Sequence, residues 1–241
     1  MPLYLLHAQC DDPFSPAIVF EEDVPLFCDG IDEFCSQLPL MYTEQEFPGC
    51  DFDEFQINNG HIISFVAGTQ FLQLNILPEN CNAGEPESGI QAALYEELNP
   101  FYEGVDVITA VCGEGLIQEI NITADNLKIG NLYYLVIDGW SGVQCDYFID
   151  VIQGSTEATL LEDSPDVIAP EFICDGDTYE FMASSDMTCK FIWTVNGVIV
   201  EDYYNPSIMI TVDDIESLII SVSATNICHT SPPTTLSGFT S

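Results

Sequence analysis

Apolar and polar residues alternate with a period of two in several short segments of the first part of this chain. In QFLQLNI (70–76), Leu72, Leu74 and Ile76 alternate with polar residues, which is the pattern of a half-buried β-strand. Similar segments, with turn residues on either side, recur at HIISFVA (61–67), GIQAALY (89–95), VDVITAV (105–111) and LIQEINIT (116–123). Because no segment keeps a helical period, the pattern predicts an all-β sandwich or jelly roll.

The segment LYYLVIDGWSGVQCDYFIDVIQG (132–154) predicts two more strands joined by a tight turn. We expect its alternating apolar residues to form one inner face of the sandwich: Tyr133, Leu135, Ile137, Tyr147, Ile149 and Val151. Asp138 and Gly139 are ordinary turn formers. Trp140 is a candidate ligand-binding residue, because an aromatic ring at a loop tip can stack on a sugar or anchor a partner protein. The more common alternative is that Trp140 folds back over the end of its own sandwich.

The strand pattern breaks at QGSTEATLLEDSPDVIAP (153–170), where polar and turn-forming residues accumulate. A second series of short apolar segments follows, with Trp193 near its centre and Asn196-Gly197 predicting a type I′ hairpin turn. A tryptophan between two cysteines in such a series is typical of an immunoglobulin-like sandwich. The sequence therefore predicts a jelly-roll-like β-sandwich at 10–158, followed by a smaller immunoglobulin-like β-sandwich at 159–241.

The charge balance of the chain is strongly acidic, with 40 acidic residues against two basic ones, Lys128 and Lys190. Because 47% of the residues are hydrophobic, the composition predicts a folded protein with an acidic surface rather than a disordered one. Binding to nucleic acid or to an anionic membrane needs lysine and arginine, so both classes of partner are excluded. The carboxylates also lack salt-bridge partners, so salt or bound metal cations have to offset their repulsion.

The ten cysteines are dispersed and form no C-x-x-C pair, which argues against zinc-ribbon and thioredoxin-like sites. Dispersed cysteines in an acidic, strand-rich chain indicate an oxidising, extracellular compartment. The first residues, MPLYLLHAQC, are similar to the end of a signal peptide, so residues 1–9 are expected to be its remnant. An ordinary first strand is the alternative. No apolar run is long enough to span a membrane as a helix.

Three segments resemble, in order, a known family: INNGHIISFVAGTQFLQLNILPENC, then GIQAALYEE, then LKIGNLYYLVIDGWSGVQCDYFIDVIQGS. They resemble the pre-peptidase C-terminal type of β-sandwich in secreted surface proteins of Bacteroidota. The segment ICDGDTYEFMASSDMTCKFIWTVNGVIV, followed by ISVSATNIC, is similar to the polycystic-kidney-disease (PKD) type of domain that often comes next in such proteins. The resemblance implies a secreted protein at a bacterial cell surface.

Candidate catalytic chemistry is sparse in this sequence. The histidines are His7, His61 and His229, and no G-x-S-x-G motif is present. Carboxylates are so abundant that no particular pair indicates a glycosidase. We therefore expect no catalytic residues and no enzymatic activity. An accessory region of a secreted hydrolase is the alternative.

Calcium is the cofactor that the sequence predicts. Hard cations prefer several oxygen ligands, and the segment CDFDEFQINNG (50–60) supplies Asp51, Asp53 and Glu54 as candidate metal ligands. Two further acidic turns are candidates: Asp175 with Asp177, and Asp213 with Asp214. The alternative for each turn is a solvated acidic loop.

Cys174 and Cys228 lie near the start and the end of the second strand series, so we predict a disulfide between them. Cys189 would then pair with the first domain, pair with another chain or stay free. Taken together, the sequence predicts a secreted, non-enzymatic structural or adhesive module at a bacterial cell surface. Its expected partners are other surface proteins, glycans or copies of itself. A carbohydrate-binding accessory module and a subunit of an extracellular filament are the alternatives.

Overall fold

The computed structural model describes residues 24–38, 45–47, 55–57, 59–82, 89–96, 107–111, 119–139, 143–185, 190–200 and 205–239. Within these ranges the regular structure is β-strand, apart from a 3-10 helix at Ile215–Ser217, so the predicted all-β fold class is confirmed. No helix in the described part of the chain has the length and hydrophobicity needed to cross a membrane.

The chain separates into two compact units. Unit 1 comprises Met1–Leu127 and Leu132–Glu157, and unit 2 comprises Lys128–Asn131 and Ala158–Ser241.

Two sheets form the sandwich of unit 1. Their strands are β1 (Leu26–Phe27), β2 (Phe34–Gln37), β5 (His61–Val66), β6 (Leu72–Glu79), β7 (Ile90–Tyr95), β8 (Val107–Val111), β9 (Ile120–Ala124), β10 (Leu132–Gly139) and β11 (Asp146–Gln153). Sheet A has the order β1-β5-β10-β7-β8, and sheet B has the order β2-β11-β6-β9. A separate pair is formed by β3 (Gln45–Phe47) and β4 (Phe55–Ile57).

The core of unit 1 lies between sheets A and B. Leu72, Leu74 and Ile76 of β6 are fully buried in it. The alternation of apolar and polar residues in this segment therefore correctly identifies the residues that face the core. The apolar residues predicted for the inner face of β10 and β11 are in the same core, with Val151 partly buried at its margin. The predicted inner-facing residues are therefore confirmed. The predicted hairpin is wrong, because β10 belongs to sheet A and β11 to sheet B. The turn after β10 connects the two sheets of the sandwich.

The outer face of sheet A is also apolar and buried. A second cluster there contains Val24, Ile62, Ala93, Tyr95, Tyr134 and Val136. Strands β5, β7 and β10 are thus buried on both faces, which is the pattern of an internal sheet.

Unit 2 is a smaller sandwich of two sheets. Its strands are β12 (Asp166–Ile168), β13 (Thr178–Ser184), β14 (Lys190–Val195), β15 (Val198–Ile199), β16 (Ser207–Thr211), β17 (Ile220–Thr225) and β18 (Thr234–Leu236). Sheet C has the order β12-β13-β16, and sheet D has the order β15-β14-β17-β18.

The two sheets of unit 2 share one core. Phe181 and Ile208 of sheet C pack in the same cluster as Trp193 and Val222 of sheet D. Trp193 is 1% exposed, and its indole Nε1 donates a hydrogen bond to the Asn205 carbonyl at 3.3 Å. The tryptophan is therefore the buried centre that the sequence pattern indicates.

The β14–β15 hairpin has the turn that the sequence predicts. Asn196 has φ of 50° and Gly197 has φ of 79°, and Val195 pairs with Val198 across the turn. Positive φ at both central residues defines a type I′ turn, which suits the right-handed twist of the flanking strands. The type I′ prediction is confirmed.

Replacing a buried core leucine should cost more stability than replacing an exposed aliphatic residue. We expect Leu74→Ala to lower the free energy of unfolding of unit 1 by about 3 kcal/mol, because it leaves a cavity between the sheets. Ile152→Ala is the matched control in the same unit, since Ile152 is 55% exposed, and should change stability by less than about 0.5 kcal/mol. Urea unfolding, with hydrogen exchange of peptides from β6 and β11, measures both. Equal effects of the two substitutions would contradict the placement of β6.

Candidate functional site

A buried carboxylate lies at the end of β10, where the chain turns toward β11. Asp138 is 0% exposed. Its Oδ1 accepts a hydrogen bond from the backbone N–H of Asn59 at 2.8 Å, and its Oδ2 accepts one from Nε2 of Gln91 at 2.8 Å. A buried carboxylate is tolerated when hydrogen-bond donors replace the lost water. Asp138 therefore ties β10 both to β7 and to the residues that precede β5.

Asn59 holds the two ends of the turn that follows Asp138. Its Oδ1 accepts a hydrogen bond from the Gly139 backbone N–H at 3.1 Å, and its Nδ2 donates to the Val143 carbonyl at 2.9 Å. A Cβ added to Gly139 would lie 1.8 Å from the Val143 carbonyl oxygen, so only glycine fits there. The turn is thus fixed at both ends by one buried amide side chain.

Trp140, the candidate ligand residue, belongs to residues 140–142, between these two fixed ends, and lies outside the described residues. The ends themselves are held rigidly. Both oxygens of the Asp138 carboxylate accept hydrogen bonds, and the carboxylate is closed to solvent. Such an arrangement positions a loop and offers no reactive group. Asn59 and Gln91, which donate hydrogen bonds to Asp138, are 79 and 47 residues from it in sequence. Local sequence patterns therefore gave no signal that they meet it.

A second polar pair is buried in the core of unit 1. The Tyr147 hydroxyl is hydrogen-bonded to His61 Nδ1, and the rings meet edge to face with centroids 5.8 Å apart. Burial lowers the pKa of His61 to about 4, because desolvation disfavours the imidazolium ion. Burial also raises the pKa of Tyr147. Both groups are therefore neutral near pH 7 and act as parts of the core.

The two acidic turns of unit 2 lie side by side. Asp175 Oδ1 accepts a hydrogen bond from the Ile215 backbone N–H at 2.8 Å, and Asp214 Oδ1 accepts one from the Glu216 N–H at 3.1 Å. Asp214 is the N-cap of the 3-10 helix, a position where a carboxylate satisfies backbone donors. These two aspartates thus have a structural role in backbone capping.

Among the described residues, no group of three or more histidine, cysteine or carboxylate side chains is arranged to hold a metal ion. Asp51, Asp53 and Glu54 lie outside the described residues. Calcium binding by these three residues stays a prediction.

The predicted disulfide between Cys174 and Cys228 is wrong. Cys174 is an exposed free thiol, whereas Cys228 belongs to a disulfide with a different cysteine. Cys189 lies outside the described residues. In unit 1, Cys81 and Cys145 form a disulfide with each other. Cys28 and Cys35 of the same unit each belong to a disulfide as well.

The strand register explains why Cys174 and Cys228 do not meet. Asp175, next to Cys174, binds the 3-10 helix that leads into the start of β17. Cys228 follows the other end of β17, beyond Thr225. A six-residue strand spans about 17 Å or more, and a disulfide needs Cα atoms within about 7 Å. The two cysteines therefore lie at opposite ends of unit 2.

No family model matches the chain, and no curated protein matches it. Among the solved structures that resemble parts of this chain, three are described. The IgVJ-C2 molecule of amphioxus is 16% identical with a TM-score of 0.29, over 73% of this chain and 98% of that one. The adhesin domain of Epf from Streptococcus pyogenes is 11% identical with a TM-score of 0.29, over 76% of this chain and 72% of that one.

The third likeness is to the glycoside hydrolase domain of Endo-D from Streptococcus pneumoniae R6. It is 12% identical with a TM-score of 0.27, over 85% of this chain and 36% of that one. All three scores are too low to carry an argument about what this chain binds or does. The resemblance to the pre-peptidase C-terminal and PKD domain types stays a prediction.

Substituting the buried carboxylate should destabilise unit 1. In Asp138→Asn, an amide N–H₂ replaces one acceptor oxygen and faces a donor, either the Asn59 N–H or the Gln91 amide. We expect a loss of about 1–3 kcal/mol in the free energy of unfolding. Asp146→Asn is the matched control, because Asp146 accepts exposed hydrogen bonds from Gln37 and Asn80. Urea unfolding measures both, and an Asp138→Asn protein as stable as the wild type would contradict the buried network.

His61 should make the stability of unit 1 depend on pH. Its folded-state pKa of about 4 lies below the ordinary value of 6.5, so the unfolded chain binds a proton that the folded chain does not. Stability should therefore fall as the pH drops from about 6.5 to about 4, by about 3 kcal/mol in full.

The pH effect is isolated by comparing variants, because the carboxylates of the chain also titrate in acid. His61→Gln should remove this part of the decline in thermal stability between pH 6.5 and pH 4, whereas His229→Gln, in the turn after β17, should keep it. If the two variants followed the same pH profile, His61 would not be the group responsible.

Proposed function

We propose that this chain is a secreted, non-enzymatic adhesive module at a bacterial cell surface. The observation that carries the proposal is the combination of two all-β units with disulfide-bonded cysteines in both. The disulfide Cys81–Cys145 belongs to unit 1, and bonded Cys228 belongs to unit 2. Structural disulfides persist in oxidising, extracellular surroundings, so they support secretion.

The hydrogen bonds that hold the two ends of the 140–142 turn support a binding role for unit 1. Binding surfaces are commonly loops carried by a rigid scaffold, and here Asn59 and Asp138 fix the ends of such a loop through buried hydrogen bonds. A loop whose two ends are already held loses less conformational entropy on binding a partner than one whose ends are free. The acidic surface favours neutral or cationic partners and disfavours nucleic acid.

Adhesion can be measured with beads that carry the purified chain. We expect the beads to adhere to bacterial surfaces or immobilised glycans more strongly than beads coated with polyglutamate of equal charge, because the folded surface rather than charge alone makes the contact. Reduction of the disulfides should abolish the adhesion. Adhesion no stronger than that of polyglutamate, or release of sugars from the glycans, would contradict the proposal.

A glycan array with the Trp140→Ala variant distinguishes the carbohydrate-binding alternative. For an adhesive scaffold we expect the substitution to change any sugar affinity only modestly. Strong polysaccharide binding that Trp140→Ala abolished would favour a carbohydrate-binding accessory module instead.

A further inference from the structure

Carboxylates are distributed unevenly over unit 2. The chain contains 40 acidic residues in 241, yet residues 190–200 and 217–241 contain none. These two stretches supply every strand of sheet D. One side of a strongly acidic protein is therefore built from segments that lack negative charge.

The outward-facing residues of sheet D follow from its register. Trp193, Ile220 and Val222 point into the core, so the alternate residues of the same strands face outward. The outer face of sheet D consists of Lys190, Ile192, Thr194, Ile199, Ser221, Ser223, Thr225 and Thr235. We call this set the neutral face. It carries hydroxyl and apolar groups, one of the two lysines of the chain, and Ile199 at 53% exposure.

The outer face of sheet C has the opposite character. It consists of Asp166, Ile168, Thr178, Glu180, Met182, Ser184, Ser207, Met209 and Thr211, and we call this set the acidic face. Ile168, Met182 and Met209 are 66%, 44% and 64% exposed. Ile168 pairs directly with Met182, and Met209 pairs with Glu180. These three exposed apolar side chains lie on three adjacent strands and form a small apolar patch, and removing its area from water is favourable.

Sheets C and D pack on one shared core, so the neutral and acidic faces lie on opposite sides of the same sandwich. We propose that the neutral face of one copy of this chain packs on the acidic face of the next copy. The contact joins two different surfaces that lie on opposite sides of the sandwich, so repeating it generates an open stack of unit 2 domains.

Charge and apolar area both favour this pairing over a symmetric one. Two acidic faces would bring Asp166 and Glu180 against their own copies, and like charges at close range cost free energy. Two neutral faces would leave the Ile168–Met182–Met209 patch exposed to water. In the mixed contact, the carboxylates of one copy meet a face that carries none, and the exposed isoleucine and methionine side chains of both faces are buried.

The size of the faces sets the strength of the contact. Three strands about 4.8 Å apart and about five residues long cover roughly 250 Å² on each partner, well below the area of a stable dimer. The formal net charge of -38 per chain adds long-range repulsion, which salt screens. The association is therefore weak, increases with ionic strength, and becomes extensive where many copies are crowded together.

Two blocked variants test the pairing in solution. The neutral-face variant carries Ile199→Glu and Thr235→Glu, and the acidic-face variant carries Ile168→Glu and Met209→Glu. The matched control adds the same charge on the exposed side of β9 in unit 1, by Asn121→Asp and Thr123→Glu. Circular dichroism confirms that each variant is folded. Sedimentation velocity measures mass at up to about 1 mM protein in 0.05 to 0.5 M NaCl, values chosen to suit a weak, screened contact, with a chelator present to exclude bridging cations.

We expect the wild type and the control to exceed the monomer mass of 26.6 kDa, increasingly so at high salt. Each blocked variant alone should stay monomeric, and an equimolar mixture of the two should form dimers but nothing larger, because each keeps the face that the other lacks. A wild type that stays monomeric throughout would overturn the proposal, as would association of either blocked variant alone, or loss of association in the control. The assay uses purified protein without any ligand, so it is independent of the adhesion proposed above.

Discussion

Two lysines cannot neutralise forty carboxylates, so this protein has to be held together by apolar burial between paired sheets. Each unit meets that constraint with a continuous core: aliphatic and aromatic side chains fill the space between sheets A and B, and Trp193 is the centre of the core between sheets C and D. The Asp138 carboxylate is buried with both of its oxygens hydrogen-bonded. The other acidic residues that the structure describes lie at the surface, where two of them, Asp175 and Asp214, cap backbone N–H groups.

The fold class was predictable because strand alternation depends on near neighbours in sequence. The period of two in β6, β10 and β11 correctly identified the residues of the inner face, but it did not show that β10 and β11 belong to different sheets. The outer face of sheet A was not predicted. Tyr134 and Val136 lie between inner residues in a continuous apolar run, and such a run marks a strand buried on both sides. Asp138 and Gly139 were interpreted as turn residues, and the apolar run before them was interpreted as a strand with only one buried face.

The candidate site was less predictable, since its partners are distant in sequence. Asp138 was readable as a turn residue, but nothing local indicates that Asn59 and Gln91 enclose it. The cysteine pairing failed for a related reason. Order along the chain suggested that Cys174 and Cys228 bracket one sandwich, whereas the direction of β17 places them at its two ends. Disulfide partners depend on strand direction and register, which spacing alone does not contain.

The disulfide between Cys81 and Cys145 has a mechanical consequence. It closes a loop of 64 residues that contains β7, β8, β9 and β10. A force that pulls on the two ends of the chain passes through the bond and bypasses these strands. The extension available to unit 1 is then shorter by about 200 Å, at about 3.4 Å for each residue. Under tension unit 1 therefore extends less than its number of residues would allow, and the strands inside the closed loop bear no load.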